Sequence, residues 1–78
     1  MAHVHVVSEL VANVMNVSVA VGDTVEVGDE IVLEESMKME IPVLSEVAGR
    51  VLEVKVEPGD VVQEGEILAV IESATSSI

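Results

Sequence analysis

Apolar and polar residues alternate along much of the chain with a period of two. Leu52, Val54 and Val56 are separated by charged residues within the segment 52–57. This pattern is typical of a β-strand with one buried face. The nearly continuous apolar runs at 31–33 and 67–71 instead predict strands that are buried on both faces. Valine dominates these segments, and β-branched side chains favour strands over helices, so we expect an all-β chain.

The chain also repeats itself. A shift of 37 residues aligns residues 11–36 with residues 48–73 without a gap, and nine aligned positions are identical. The identical pairs are Val14 and Val51, Val17 and Val54, Val19 and Val56, Gly22 and Gly59, Asp23 and Asp60, Val25 and Val62, Gly28 and Gly65, Glu35 and Glu72, and Ser36 and Ser73. The repeated glycines predict turns or bulges with positive φ.

Two similar halves of this size are too small to hold separate cores. We therefore expect them to pack together as a flattened barrel or sandwich of two short sheets with approximate two-fold symmetry. The alternating segment 52–57 corresponds to residues 15–20 after a shift of 37. We therefore expect Met15, Val17 and Val19 to be buried in the first half.

Length and composition narrow the possible classes of protein. Seventy-eight residues fit a single domain, here 1–78, with a core at about 10–72 and a disordered tail at 73–78. The net charge of −12 argues against binding to nucleic acid or anionic membranes. The longest uncharged run has 13 residues, short of the roughly 20 of a membrane helix. Without a signal-peptide pattern we expect a cytoplasmic, monomeric chain, and the short leader and tail suggest that it stands alone.

The two halves join at the segment ESMKMEIPV, residues 35–43. Met37 and Lys38 fall at the tip of a predicted hairpin, from which Lys38 would project into solvent. Because neither Gly nor Asn is present there, we expect an ordinary type I turn. Pro42 has no backbone N–H group to donate within a sheet, so we expect its strand to lie at a sheet edge.

Lys38 is one of only two lysines in the chain. In the simplest interpretation it is a solvated surface residue paired loosely with Glu35 or Glu40, and Met37 and Met39 fill gaps in the core. However, a hairpin tip has no room for a core. Two methionines there suit a surface that a partner binds.

The segment ESMKMEIPV, set between two such β repeats, resembles the attachment motif of biotinyl domains. The resemblance covers about residues 10–72 and is closest to small biotin carboxyl carrier proteins. It implies a flattened eight-stranded barrel made of two four-stranded sheets with quasi-two-fold symmetry. It also implies a carrier protein without catalytic residues of its own, which carries carboxybiotin between biotin carboxylase and carboxyltransferase sites.

By the same resemblance, a biotin protein ligase would attach biotin covalently to Lys38. Ligase recognition would involve Met37, Met39, Glu35, Ser36 and Glu40. Nearby acidic residues, including Glu34, should favour the charged amine. The ligase must therefore supply the base that removes its proton.

Two alternatives remain open. Related lipoyl domains of 2-oxo acid dehydrogenase complexes carry an acidic residue and an alanine beside the lysine, so the two methionines favour biotin. An unmodified protein-binding module is the other alternative. The chain departs from the family pattern by having Ser36 in place of the usual alanine. It also has Ser-Glu-Leu-Val-Ala-Asn at 8–13 in place of a Pro-Met-Pro-Gly segment, so the entry to the first half is expected to differ in shape.

Other polar residues suggest no further site. His3 and His5 share one face of a strand, but a metal site would need additional ligands. Asp23, Asp29, Asp60 and Glu64 lie near the glycine turns and lack the spacing of a calcium-binding loop. Turn formation explains these acids, and we predict neither a metal site nor a catalytic site.

Overall fold

The computed structural model describes residues 2–73 of the chain. Within this range the backbone forms eight β-strands and no helix, as the residue pattern predicted. The strands are β1 (His3–Val7), β2 (Ala12–Val17), β3 (Thr24–Val25), β4 (Glu30–Ser36), β5 (Met39–Leu44), β6 (Gly49–Val54), β7 (Val61–Val62) and β8 (Ile67–Ser73). Residues 2–73 thus contain no helix of the length and apolarity needed to cross a membrane.

The strands form two antiparallel four-stranded sheets, with orders β1-β8-β6-β3 and β5-β4-β2-β7. If four is added to each strand number of the first sheet, counting on from β8 to β1, the result is the strand order of the second sheet. The two sheets are therefore equivalent under a pseudo-two-fold rotation, which confirms the predicted sandwich and its symmetry. β5 is an edge strand, so Pro42 lies at a sheet edge as expected.

Hydrogen bonds between backbone groups follow the same symmetry. The Gly22 N–H donates to the Val51 carbonyl at 2.8 Å, and the Gly59 N–H donates to the Val14 carbonyl at 2.9 Å. Each bond joins a turn of one half to a strand of the other half. The two halves therefore interlock and form a single structure, as their small size required.

The structural repeat extends further toward the N-terminus than the aligned segments. The Ser8 hydroxyl donates to the Leu10 carbonyl at 2.7 Å, and the Ser45 hydroxyl donates to the Val47 carbonyl at 2.6 Å. Both serines are buried. The bend that leads into the first half therefore has the same hydrogen bond as its equivalent in the second half. The difference in shape from the family pattern expected at 8–13 stays a prediction.

The four repeated glycines lie in tight turns with φ between 85° and 98°, which confirms the prediction of positive φ. In each turn a carboxylate oxygen accepts a hydrogen bond, of 2.8–2.9 Å, from the backbone N–H three residues earlier. The four acceptors are Asp23, Asp29, Asp60 and Glu66. Three of the acids singled out in the sequence thus stabilise turns, and the fourth turn uses Glu66 rather than Glu64.

The core lies between the sheets and draws on both halves. Ile31 and Val32 in β4 are fully buried, as are Leu68, Ala69 and Ile71 in β8. Consecutive buried residues on one strand confirm that β4 and β8 are covered on both faces. The chain has no aromatic residue, so this interior is made of aliphatic side chains.

The predicted buried face of the first half is partly wrong. Met15 is 42% exposed, whereas Val17 and Val19 are half-buried. The register of β2 shifts between Val14 and Asn16, and Val14 is the buried residue instead. A β-bulge of this kind adds one residue and reverses the alternation of faces, which a strict period of two does not anticipate.

The described strands extend beyond the expected core of residues 10–72 at both ends. Ser73 closes β8, is buried, and donates its N–H to the Ala2 carbonyl at 2.7 Å. The ordered structure therefore includes residue 73, and β1 precedes the expected start of the core at residue 10. The remainder of the predicted tail, 74–78, lies outside the described residues, as does Met1.

Candidate functional site

Met37 and Lys38 form the two-residue tip of the hairpin that joins β4 to β5. Ser36 and Met39 are the last paired residues before the tip. The predicted position of Lys38, at the junction of the two halves, is therefore confirmed. The predicted turn type is wrong: φ is 54° at Met37 and 65° at Lys38. Positive φ at both central residues defines a type I′ turn and excludes type I.

The twist of the flanking strands explains this geometry. A two-residue hairpin loop in the type I′ form follows the right-handed twist of its strands, whereas type I would splay them apart. The left-handed conformation costs a non-glycine residue about 1–2 kcal/mol. Pairing along β4 and β5 outweighs that cost, so the strands determine the shape of the tip despite the unfavourable residues Met37 and Lys38.

The tip is the most exposed apolar part of the described molecule. Met37 is 90% exposed and Met39 is 65% exposed, and neither contributes to the core. Lys38 is exposed as well, and within residues 2–73 its ammonium group has no ion-pair partner. The loose pairing with Glu35 or Glu40 considered from the sequence is absent. The amine therefore stands free for a reagent or a partner.

The hairpin presents two chemically different faces below its tip. Glu35 lies directly opposite Glu40, and Ser36 lies directly opposite Met39. Because successive residues of a strand point to opposite sides, the two carboxylates lie on one face and Met39 lies on the other. Glu40 is exposed, whereas Glu35 and Ser36 are half-buried. All five residues expected to guide a ligase thus lie within two positions of the tip.

Glu34 does not join this acidic face. It lies opposite Ile41, on the side of the hairpin that faces the other sheet, and is fully buried. Neither of its carboxyl oxygens has a hydrogen-bond partner. Its place in the sequence predicts an acid close to Lys38, and this prediction is wrong. The repeat alignment indicates a buried position instead, because Glu34 aligns with the apolar residue Ile71.

The tip and the described ends of the chain lie at opposite ends of the molecule, whose Cα extents are 41 × 20 × 17 Å. β2 begins beside the tip, since Asn13 pairs with Glu35. The short segment between β1 and β2 brings the end of β1 to the same region. The start of β1, where His3 pairs with Glu72, therefore lies at the far end. Lys38 is consequently remote from Ala2 and Ser73.

Of the two histidines, His3 lies at that far end and His5 lies in the middle of β1. His3 and His5 are exposed on the same face of the edge strand β1. Among residues 2–73, no group of three or more His, Cys, Asp or Glu side chains is arranged to hold a metal ion. The exposed lysine of the hairpin is accordingly the chemically distinctive group of the described structure.

Comparison with known proteins identifies the family. The Biotin_lipoyl family, described as "Biotin-requiring enzyme", matches residues 4–71. The biotinylated protein TB7.3 of Mycobacterium tuberculosis is 58% identical over 36 residues, which are 46% of this chain and 51% of the relative. The match thus spans about half the length of the curated relatives.

Two solved structures have similar folds. The urea carboxylase of Kluyveromyces lactis has a TM-score of 0.86 and 33% identity, over 92% of this chain and 6% of that protein. The lipoyl domain of the 2-oxoglutarate dehydrogenase complex of Azotobacter vinelandii has a TM-score of 0.69 and 29% identity, over 82% of each chain. The family match over residues 4–71, together with the two-fold related sheets, establishes that this chain belongs to the biotin/lipoyl attachment domain family.

Proposed function

We propose that this chain is a biotin carrier domain that a biotin protein ligase modifies at Lys38. The single observation that carries the proposal is the position of Lys38, which is exposed and free of ion pairs on a two-residue tip between Met37 and Met39. The relative TB7.3 is named as a biotinylated protein, which supports biotin as the attached group.

The attachment reaction needs little from this chain. The Lys38 amine attacks the acyl carbon of biotinyl-adenylate, an amide bond forms, AMP leaves, and the amine loses a proton. Within the described residues no ion-pair partner stands beside the Lys38 amine to take that proton. The ligase would supply the base. The domain then acts as the substrate of the ligase and performs no catalysis itself.

The arrangement of the hairpin suggests how a ligase would recognise it. Met37 and Met39 offer exposed apolar contacts beside the amine, and Glu35 and Glu40 offer negative charge on one face. Ser36 pairs with Met39 and closes the turn. We assign ligase recognition to these five residues.

Once attached, biotin accepts and donates a carboxyl group, and the domain presents it to partner enzymes. A rigid barrel with its modified lysine at one end places the reactive group in both partner sites at high effective concentration. We assign these sites to a biotin carboxylase and a carboxyltransferase, as the likeness to a urea carboxylase suggests. The cytoplasmic location and monomeric state expected from the sequence belong to the same proposal.

Intact-mass measurement after incubation with biotin ligase, biotin and ATP tests the attachment. We expect one added biotin on the unaltered chain and none on Lys38→Arg. Lys55→Arg is the matched control, because Lys55 is the only other lysine and is also exposed. Biotin on the Lys38→Arg variant would refute the site assignment. An unmodified wild-type chain would refute the proposed function.

Lipoyl attachment is the second candidate, supported by the similarity to a lipoyl domain. A lipoate ligase assay on the same variants separates the two candidates. We expect no lipoylation, because Met37 and Met39 occupy the positions beside the lysine. Lipoylation at Lys38 without biotinylation would reverse this assignment. A chain that neither ligase modifies would instead support the unmodified binding module.

A further inference from the structure

A groove of about 570 Å³ lies between the edge strands β1 and β5. Its apolar walls come from equivalent positions of the two halves, which places the groove on the pseudo-two-fold axis. The equivalent wall residues are Val4 and Ile41, Val6 and Val43, and Val7 and Leu44. The groove is therefore a regular feature of the folded repeat.

Glu34 breaks this symmetry. It lines the groove, whereas its equivalent Ile71 is an ordinary fully buried core residue. Both carboxyl oxygens of Glu34 are covered and lack a hydrogen-bond partner. Buried polar atoms in proteins almost always have a partner, and leaving one without a partner costs on the order of 1–3 kcal/mol. The first half thus carries a costly acceptor where the second half has a hydrocarbon side chain.

The groove is within reach of the hairpin tip. The pairs Ser36–Met39 and Glu34–Ile41 lie on the same face of β4 and β5, two residues apart. At about 3.3 Å per strand residue, Glu34 lies roughly 7 Å below the closing pair of the turn. A biotinyl-lysine arm has roughly eleven bonds of about 1.5 Å between the Lys38 Cα and the biotin rings. The arm is therefore longer than this separation, and it would pass the exposed Met39.

We propose that the biotinyl arm of Lys38 folds back along this face and docks in the groove, where the ureido N–H groups donate to the Glu34 carboxyl. This inference rests on the proposed biotinylation of Lys38. The chemistry is complementary, because the hydrocarbon part of the arm contacts Ile41 and Val7 while its two N–H groups meet an unpartnered acceptor. Without the arm, both carboxyl oxygens of Glu34 are covered. The Glu34 side chain therefore rotates toward the groove when the arm enters. Docking thus shelters the ureido group between encounters with partner enzymes.

NMR spectra of the isotopically labelled chain before and after complete biotinylation test the docking directly. We expect amide shift changes at Glu34, Ile41 and Val7 in addition to the tip. We also expect NOEs between the ureido N–H protons and the Ile41 and Val7 methyl groups. Shift changes confined to residues 37–39, with no such NOE, would overturn the proposal.

Two variants isolate the carboxyl group. Glu34→Ile copies the residue of the second half and removes the acceptor, and Glu46→Ile makes the same change at an exposed position of the same groove. Biotinylation should raise the Tm of the wild-type and Glu46→Ile chains by about 2–4 °C and that of Glu34→Ile by less than about 1 °C. Equal increases in all three chains would contradict the role of Glu34.

The intact mass distinguishes failure of the docking proposal from failure of the proposed carrier function. A chain that gains biotin at Lys38 but shows neither the NOEs nor the difference in Tm refutes docking and leaves the carrier function intact. A chain that gains no biotin refutes the carrier function itself.

Discussion

Glu34 occupies in the first half of the molecule the position that Ile71 occupies in the second, and both side chains are fully buried. The isoleucine packs within an aliphatic core, whereas the carboxyl group has no hydrogen-bond partner. The same backbone environment therefore accommodates a favourable and an unfavourable side chain. The fold therefore tolerates an unfavourable side chain at position 34, because the other core residues stabilise it.

Replacing Glu34 by isoleucine should stabilise the unmodified chain. The substitution removes an unpartnered buried polar group and adds apolar contacts, so we expect a gain of about 1–3 kcal/mol in the free energy of unfolding. Urea denaturation of the wild-type and Glu34→Ile chains measures it. Glu46→Ile, at an exposed position, should stay within about 0.5 kcal/mol of wild type. Destabilisation by Glu34→Ile would mean that the carboxyl has a partner in solution.

The left-handed conformation of Met37 predicts that Met37→Asn stabilises the fold. Asparagine tolerates positive φ and is favoured in type I′ turns, so we expect a gain of roughly 0.5–1 kcal/mol, seen as a Tm increase of several degrees. The same variant should be a poorer ligase substrate, because it loses an exposed apolar contact. Met15→Asn, in the extended strand β2, is the control and should not raise the Tm. A lower Tm for Met37→Asn would argue against the type I′ turn.

Glu35 and Glu40 face each other across β4 and β5, and like charges in this arrangement are destabilising. Glu40→Lys should therefore stabilise the chain by about 0.2–1 kcal/mol at low salt, and the gain should shrink as salt screens the pair. Glu46→Lys changes the net charge equally without a facing carboxylate partner on the neighbouring strand. A thermal melt of both variants in low and high salt measures the difference. Equal gains would mean that only the net charge matters.

Gly49 should not tolerate even a methyl group. A Cβ atom at this position would overlap the Glu72 carbonyl oxygen, which belongs to the backbone of β8 and cannot easily move. We expect Gly49→Ala to destabilise the fold by about 1–3 kcal/mol. The equivalent position in β2 already carries a side chain, Ala12, and Ala12→Gly should cost less, about 0.5–1 kcal/mol. Denaturant unfolding compares the two, and a neutral Gly49→Ala would show that β6 and β8 can separate there.

Much of this architecture was predictable because it depends on local and repeated features. Alternation along 52–57 indicated a strand, the apolar run at 67–71 indicated a strand covered on both faces, and the shared glycines indicated turns with positive φ. Since a repeat must fold twice in the same way, the shift of 37 residues predicted the two-fold symmetry. The position of Lys38 followed from that symmetry, because it lies where the two copies join.

Only the tertiary structure decided the finer points, each through an interaction between distant segments. A bulge in β2 buried Val14 and exposed Met15, because pairing with β4 overrides strict alternation. The twist of β4 and β5 forced Met37 and Lys38 into a turn that their own preferences disfavour. The burial of Glu34 depends on the sheet packed against it, and no local pattern distinguishes that carboxyl from the more exposed carboxyls of Glu35 and Glu40. The sequence by itself therefore determined which lysine stands at the tip, whereas sheet pairing and packing decided the shape of that tip and what lies beneath it.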